Sequence, residues 1–250
     1  MTRRLIAGSL AILLVASCGR AGVPDAERVE LLVAAAASLT DVFGDIETAF
    51  EDAHPGIDVV LNLGGSSLLR EQILANAPVD TFAPADVAIM EEVRAAGLVR
   101  GSARVFARNT MAIAVPAGNP GGVTGLDDLA RPELLVGLCA ETVPCGRFTR
   151  QVLRRAGVTA QPDTEEPNVR ALLTKVEHGE LDTGIVYATD VREAGGAVAI
   201  AIPEEHNVTT DYPIAIMSGT SHPEAAAAFI AFVLSDEGRA LLNRHGFHLP

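Results

Sequence analysis

The chain of 250 residues has no tryptophan, only eight phenylalanines and two tyrosines, a single lysine and three cysteines. Because aromatic residues are so few, aliphatic side chains must build most of the core. Positive charge is also scarce, and the formal net charge of −13 argues against nucleic acid or an anionic membrane surface as a partner. An anionic ligand would have to be held locally, by donors aimed at it.

The motifs of common catalytic centres are missing as well. The sequence contains no G-x-S-x-G, H-E-x-x-H, G-x-G-x-x-G or phosphate-binding P-loop motif. The six histidines are scattered, and His245 and His248 lack further partners for a metal. Asp80 and Asp86 are better explained by a strand edge and a helix N-cap than by acid–base catalysis. We therefore expect no enzymatic activity, no cofactor and no coordinated metal cation.

The N-terminus has the pattern of an export signal. Two arginines precede an apolar run at 5–17, which is too short to span a bilayer comfortably. The run ends in VASC, which resembles a bacterial lipobox, and Cys18 would then be lipidated as the first mature residue. An ordinary secretory signal is the alternative. We predict a signal peptide at 1–17, a tether at 18–28, and a location on the outer face of the cytoplasmic membrane or in the periplasm.

The two remaining cysteines, Cys139 and Cys145, lie in the segment GLCAETVPCGR. In an exported chain, one even pair at this spacing suggests a disulfide that closes the loop. Metal ligation is the competing interpretation, but C-x5-C is not a usual zinc spacing and no histidine or cysteine partner lies nearby in the sequence. We favour the disulfide.

Strand-like and helix-like segments alternate almost to the C-terminus, which predicts an α/β protein with mainly parallel sheets. No flexible linker interrupts residues 29–250. Two domains can still form if the backbone crosses between them on strands. We predict lobe I at 29–109 and 212–250, and lobe II at 110–211.

Two serines at strand-to-helix junctions are the strongest binding candidates. Ser38 follows the strand-like run at 29–37, and Ser66 follows the run at 57–63. A hydroxyl at such a junction lies beside unpaired backbone N–H groups and the positive end of a helix dipole, where an anion can bind. Helix capping is the simpler role for each. A secreted hydrolase using either serine is an alternative of another class, although no histidine has a suitable setting.

Six segments together resemble the periplasmic molybdate-binding proteins of ABC transporters. They are AAAASLTD at 34–41, GGSSLLREQI at 64–73, APVDTFAPA at 77–85, TVPCG at 142–146, NVRAL at 168–172 and GIVYATD at 184–190. The resemblance runs from about residue 31 to 247, with the segments in family order. It implies a type II periplasmic-binding fold, in which two α/β lobes close over a ligand.

The resemblance also implies that neutral donors alone hold a tetrahedral dianion. The ligand-binding residues it indicates are Ala36, Ser38, Ser66, Cys145, Val169 and Tyr187. The two serines and the tyrosine would donate through side chains, and the other three through backbone N–H groups. The chain departs from the family pattern in Gly64-Gly65, which replaces a more serine-rich run, and in its paired cysteines.

The implied function is that of a monomeric, lipid-anchored binding protein that captures molybdate and tungstate for the membrane permease of an ABC importer. Without a counter-charge at the site, affinity depends on fixed geometry, so the size of the site can separate these anions from the smaller sulfate. A protonated phosphate would need an acceptor that such a site lacks. A binding protein for sulfate, phosphate or another small anion is the alternative within the same class.

Overall fold

The computed structural model describes residues 28–250. The predicted signal peptide, the lipidation site at Cys18 and all of the tether except Arg28 lie outside the described residues. The described strands are β1 (Val29–Ala36), β2 (Ile57–Gly64), β3 (Thr81–Ala83), β4 (Val99–Pro116), β5 (Val136–Cys139), β6 (Thr164–Glu166), β7 (Thr183–Tyr187), β8 (Ala197–Ala201) and β9 (Thr209–Met217).

Helices separate most of these strands, as the alternating sequence pattern predicts. The α-helices are α1 (Thr40–Ala53), α2 (Ser66–Leu74), α3 (Val87–Ala95), α4 (Pro144–Ala156), α5 (Val169–Glu177), α6 (Ala188–Glu193), α7 (Pro223–Val233) and α8 (Asp236–Arg244). Two short 3-10 helices lie at Ala37–Leu39 and Leu126–Ala130. None of the helices within residues 28–250 has the length and apolar character needed to cross a membrane.

The strands follow the order β2-β1-β3-β9-β4-β7-β5-β6, with β8 also paired to β4. The pairs β1–β2, β1–β3, β5–β6 and β5–β7 are parallel. The strands β4 and β9 are antiparallel to their neighbours, so the sheet is mixed at its centre and parallel on both sides.

Strand β4 connects the two sides of the sheet. Its first part, up to Thr110, pairs with β9, and from Met111 onward it pairs with β7 and then also with β8. This change of partner lies at the crossing expected from the sequence. The exact division into lobes at residues 109 and 212 stays a prediction.

Aliphatic residues fill most of the core, and the phenylalanines concentrate where α1 meets α7. Phe50 and Phe229 pack edge to face with ring centroids 5.3 Å apart, and Phe43 lies 6.1 Å from Phe229. A separate apolar cluster, which includes Leu69 and Ile89, packs α2 and α3 around β3. The two clusters fix the helices on either side of β1 and β3.

The topology gathers several helix N-termini at one place. Strands β1, β2, β5 and β6 each lead into a helix within a few residues of their carboxyl ends. In α/β proteins the carboxyl ends of parallel strands are where ligands bind, because unpaired helix N–H groups point there.

Candidate functional site: a cavity between helix N-termini

A small cavity, here called the junction cavity, lies where these strand ends and helix starts meet. Its lining residues are Ala36, Ala37, Ser38, Gly64, Gly65, Ser66, Ala85, Val143, Pro144, Cys145, Asn168, Val169 and Tyr187. About 20 Å³ is open to the centre of a water-sized atom, whereas a single water needs roughly 10–15 Å³ by the same measure. The cavity therefore suits a compact ligand of a few atoms.

All six residues that the sequence indicated for ligand binding lie on the wall of this cavity. They come from five separate parts of the chain, and the fold brings them together. Their role in holding a ligand stays a prediction, since no ligand is present. Sequence reasoning missed Ala85 and Asn168, which line the same cavity. Asn168 could have been found as a capping residue before the apolar pattern of α5.

The two serine hydroxyls are both buried, and each already has one hydrogen-bond partner within the protein. The Ser66 Oγ accepts a hydrogen bond from the Ala85 N–H at 3.1 Å, so its own O–H is left to donate into the cavity. The Ser38 Oγ lies 3.0 Å from the hydroxyl of Tyr212 on β9. Ser38 is 7 % exposed and Ser66 is 3 % exposed, so neither hydroxyl is freely hydrated.

The phenol of Tyr187 is the third side-chain donor on the wall. The residue ends β7 and is buried, and its hydroxyl has no hydrogen-bond partner among residues 28–250. Burial, reinforced by the neighbouring Tyr212 and Asp190, raises the pKa of Tyr187 well above its ordinary value. The phenol therefore keeps its proton at neutral pH, and a buried unpaired O–H of this kind needs an acceptor from a ligand or water.

Backbone donors come from the first turns of α4 and α5. The first N–H of α4 with a partner along the helix is that of Arg147, which bonds the Val143 carbonyl at 3.0 Å, so the N–H of Cys145 has no acceptor within the helix. In α5 the Asn168 Oδ1 caps the helix by accepting a hydrogen bond from the Ala171 N–H at 3.0 Å. This cap does not use the N–H of Val169, which is left to donate to a ligand. Both first turns face the junction cavity.

Among residues 28–250, no charged side chain lines the junction cavity. The nearest arginines in the sequence are already paired: Arg147 donates to Asp86, and Arg170 lies 3.0 Å from Asp41. No histidine or carboxylate of the described part of the chain lines the wall, so this part supplies neither serine with a base that could activate it as a nucleophile. The wall can donate hydrogen bonds but offers no group for proton transfer. This arrangement fits binding of a fully deprotonated anion.

Gly65 allows two segments of the wall to approach closely. A Cβ at this position would lie 2.8 Å from the carbonyl oxygen of Pro167, which is closer than real contacts permit. The glycine at the start of α2 therefore lets that helix approach the segment before α5. This contact gives Gly65 a steric role that its place in the sequence did not reveal.

The two aspartates considered for acid–base chemistry have structural roles. Asp86 caps α3 by accepting a hydrogen bond from the Ala88 N–H at 2.7 Å, as predicted. The Asp80 side chain accepts a hydrogen bond from the Leu32 N–H at 2.8 Å. This bond holds the residue just before β3 against strand β1. Among the described residues, no three metal-ligating side chains cluster in a way that could hold a metal ion.

The structure links Cys139, at the end of β5, to Cys145 in the first turn of α4, with Cα atoms 5.8 Å apart. This separation is ordinary for a disulfide. The bond closes the loop that carries the Cys145 N–H, so it restrains one backbone donor of the junction cavity.

The disulfide can be tested by thiol labelling. We expect the unreduced domain, residues 28–250, to take up no thiol reagent when denatured, and the reduced domain to take up two equivalents, since both cysteines of the domain are paired. Mass spectrometry measures the uptake. Labelling of both cysteines in the unreduced protein would contradict the pairing.

Known proteins resemble this chain in sequence and in fold. Residues 31–248 match the model of a family described as bacterial extracellular solute-binding protein. The molybdate-binding protein ModA of Mycobacterium tuberculosis is 39% identical over 221 residues, which are 88% of this chain and 85% of that protein.

Two solved structures with lower identity resemble the fold. The periplasmic molybdate-binding protein of Azotobacter vinelandii has a TM-score of 0.78 at 22% identity, covering 88% of this chain and 99% of its own. The sulfate-binding protein SubI of M. tuberculosis has a TM-score of 0.77 at 17% identity, covering 89% of this chain and 87% of its own. They confirm the predicted two-lobe α/β fold of periplasmic binding proteins. They do not distinguish one oxyanion from another.

Proposed function

Because the chain belongs to the bacterial extracellular solute-binding proteins, we propose that it captures molybdate outside the cytoplasm and delivers it to the permease of an ABC importer. The observation that carries the proposal is the junction cavity, whose wall combines helix N-termini and buried hydroxyls with no charged side chain. The 39% identical relative named as a molybdate-binding protein supports the choice of anion.

Hydrogen bonds alone can hold a dianion in such a cavity. A buried charge costs many kcal/mol unless donors replace the water that it loses. Each hydrogen bond to a charged group contributes roughly 1.5–3 kcal/mol net, so about five to seven aimed donors suffice for sub-micromolar affinity. The three hydroxyls and three backbone N–H groups proposed for this site fall within that range.

Tungstate, a tetrahedral dianion of similar size, should bind as molybdate does. The protein acts as a monomer without a cofactor and catalyses no reaction. A lipid on Cys18 anchors it to the outer face of the membrane. Membership in the family and the wall of the junction cavity both support anion binding. The lobes would close around the anion before the protein docks on the permease.

Contacts beside the junction cavity support a closed arrangement of the two predicted lobes. They are the hydrogen bond from the Ser67 Oγ to the Thr142 carbonyl at 2.7 Å, the ion pair of Arg147 with Asp86 and the ion pair of Arg170 with Asp41. Each contact joins residues adjacent or close in sequence to members of the cavity wall. Closure and ligand enclosure would therefore occur together.

Calorimetric titration of residues 28–250 with molybdate, tungstate, sulfate and phosphate tests the proposal. We expect tight one-to-one binding of the first two anions and far weaker binding of the others. Tighter binding of sulfate or phosphate would replace the assigned ligand within the same class. Absence of heat with all four would remove the oxyanion assignment. Turnover of an ester together with labelling by a serine-reactive probe would indicate the hydrolase alternative.

Replacing Ser38 or Ser66 with alanine should weaken molybdate binding by about 1.5–3 kcal/mol each, because each variant removes one hydrogen bond to a charged group. Each variant also leaves a buried donor, the Tyr212 hydroxyl or the Ala85 N–H, without this acceptor, so the unfolding free energy should fall by about 1–3 kcal/mol. Calorimetry and urea denaturation measure the two effects. Ser235→Ala is the matched control, since Ser235 caps α8 away from the junction cavity. It should lower stability by about 1 kcal/mol and leave affinity unchanged. Wild-type affinity in both site variants would defeat the assignment.

A further inference from the structure

We infer that Tyr212 is a positioning residue: it fixes the Ser38 hydroxyl as a donor toward the junction cavity and thereby sets the preference for fully deprotonated oxyanions. The inference rests on the proposed function and adds a residue that does not touch the ligand. Tyr212 is fully buried, lies in the middle of β9 and is not part of the cavity wall.

The surroundings of Tyr212 leave its hydroxyl few partners. Its ring packs against Phe106, Tyr187 and Phe247, with centroids 6.4, 6.0 and 5.6 Å away. The hydroxyl lies 3.0 Å from the Ser38 Oγ and 3.5 Å from the Asn109 Nδ2. One hydrogen-bond partner is therefore a hydroxyl, and the other is an amide nitrogen.

The orientation of the Asn109 amide is fixed by its other contacts. Its Oδ1 accepts from the Thr110 N–H at 2.9 Å, and its Nδ2 donates to the Thr189 Oγ1 at 2.7 Å. The nitrogen therefore faces Tyr212, and an amide nitrogen can only donate. The phenol oxygen of Tyr212 is thus an acceptor toward Asn109, over a long contact.

Within residues 28–250, the Ser38 Oγ is then the one acceptor at hydrogen-bond distance from the Tyr212 hydroxyl. The Tyr187 hydroxyl lies close enough to act on the pKa of Tyr212 but makes no hydrogen bond of normal geometry. Burial raises the pKa of Tyr212 far above its ordinary value, with Asp190 adding to the effect, so the phenol stays protonated. When Ser38 accepts from Tyr212, its own proton is left for the junction cavity. The hydrogen bonds from Asn109 through Tyr212 and Ser38 to an anion all run in one direction, an arrangement in which each bond strengthens the next.

The consequence is selectivity against anions that carry a proton. The Ser66 Oγ already accepts from the Ala85 N–H, so with Tyr212 in place each serine oxygen accepts one hydrogen bond from the protein and directs its own proton at the ligand. Phosphate near neutral pH carries at least one proton, which would need an acceptor on the wall. Sulfate carries none, so it must be distinguished from molybdate by size. Loss of the Tyr212 hydroxyl should affect selectivity against phosphate but not selectivity against sulfate.

The test is Tyr212→Phe, which keeps the ring and its packing. In calorimetric titrations at pH 7, we expect molybdate affinity to fall about 10-fold, the loss of one oriented hydrogen bond. Because Ser38 can then rotate and accept, the ratio of molybdate to phosphate affinity should fall about 5-fold or more. The ratio of molybdate to sulfate affinity should not change. Thr183→Val is the matched control, since it removes a buried hydroxyl that bonds the Ala114 carbonyl at 3.2 Å outside the cavity.

A double-mutant cycle with Ser38→Ala tests whether Tyr212 acts through Ser38. Adding Tyr212→Phe to Ser38→Ala should cause no further loss of molybdate affinity. Losses that add in the double variant, or a molybdate-to-phosphate ratio unchanged in Tyr212→Phe, would overturn the inference while the proposed function stands. A wild-type protein that binds none of these oxyanions would overturn both. If Thr183→Val lowered the molybdate-to-phosphate affinity ratio as much as Tyr212→Phe does, a general loss of stability would explain the change in selectivity. That result would also overturn the inference.

Discussion

Replacing Asp190 with asparagine should stabilise the protein, by about 4 kcal/mol more at pH 8.5 than in strong acid. Asp190 is 2 % exposed, and neither carboxylate oxygen makes a hydrogen bond of normal geometry among the described residues, although the Tyr187 N–H lies near enough to act to lower the pKa. The nearest cation is Arg170, whose Nη1 lies 3.8 Å away and is closer to Asp41, at 3.0 Å. The ionised carboxylate is therefore poorly compensated.

The direction of the pH effect follows from the pKa. Burial raises the pKa of Asp190 from 3.8 to about 7, although Arg170 acts to lower it. Between these two values the folded protein keeps a proton that the unfolded chain releases, so stability is lost as the pH rises through this window. A pKa difference of about 3 corresponds to about 4 kcal/mol. Asparagine carries no charge and removes this loss.

Urea denaturation of wild type and variant between pH 4 and 8.5 measures the effect. The difference in unfolding free energy contains a constant part, from exchanging an acid for an amide, and a part that grows with pH up to about 7. Only the second part tests the prediction. A difference that stays flat across the range would contradict it.

Glu166→Gln is a control with the opposite sign. Burial acts to raise the pKa of Glu166, but hydrogen bonds from Lys175 and Thr164 outweigh it, and the pKa lies below the ordinary value. Its stabilising effect is present above pH 4.5 and is lost as the pH falls through the folded value. Glu166→Gln should therefore be most destabilising near neutral pH and less so in acid.

The parts of the fold that could be predicted are those with a local signal. The helix α8 follows a serine cap, Ser235, and Gly157 ends α4 with a φ of 70°, the left-handed conformation that favours glycine. Of the six candidate site residues, Ser38 and Ser66 could be found from the sequence pattern because they lie at junctions between strand-like and helix-like runs. Such junctions are visible in the sequence because hydrophobic periodicity changes there. The other four came only from the resemblance to the molybdate-binding proteins.

The parts that were missed depend on contacts between distant segments. The first half of β4 carries arginines and a glycine, and it is a strand because β9 pairs with it. The short strand β6 has the sequence TEE, which has little intrinsic strand preference and is held by β5. The hydrogen bond between Ser38 and Tyr212 joins residues 174 positions apart, so no local pattern could have placed Tyr212 behind the site.

Gly146→Ala should be severely damaging to both the fold and the site. A Cβ at Gly146 would lie 1.9 Å from the carbonyl oxygen of Ala140 and 2.6 Å from that of Cys139. Both are backbone atoms, so no side-chain rotation can relieve the clash. The first turn of α4 would have to move away from the end of β5, and the Cys145 N–H would move with it. We expect a loss of about 3 kcal/mol or more in unfolding free energy.

The same movement should weaken molybdate binding about 10-fold or more, because a displaced N–H donor no longer points at the anion. Urea denaturation and calorimetry measure the two losses. Gly44→Ala is the matched control: Gly44 lies within α1, and nothing lies within 4 Å of the added Cβ. That variant should gain up to about 1 kcal/mol from helix propensity and keep wild-type affinity. If Gly146→Ala were as stable as wild type and bound molybdate equally well, α4 could not start where the structure places it, and the Cys145 N–H could not be one of the donors.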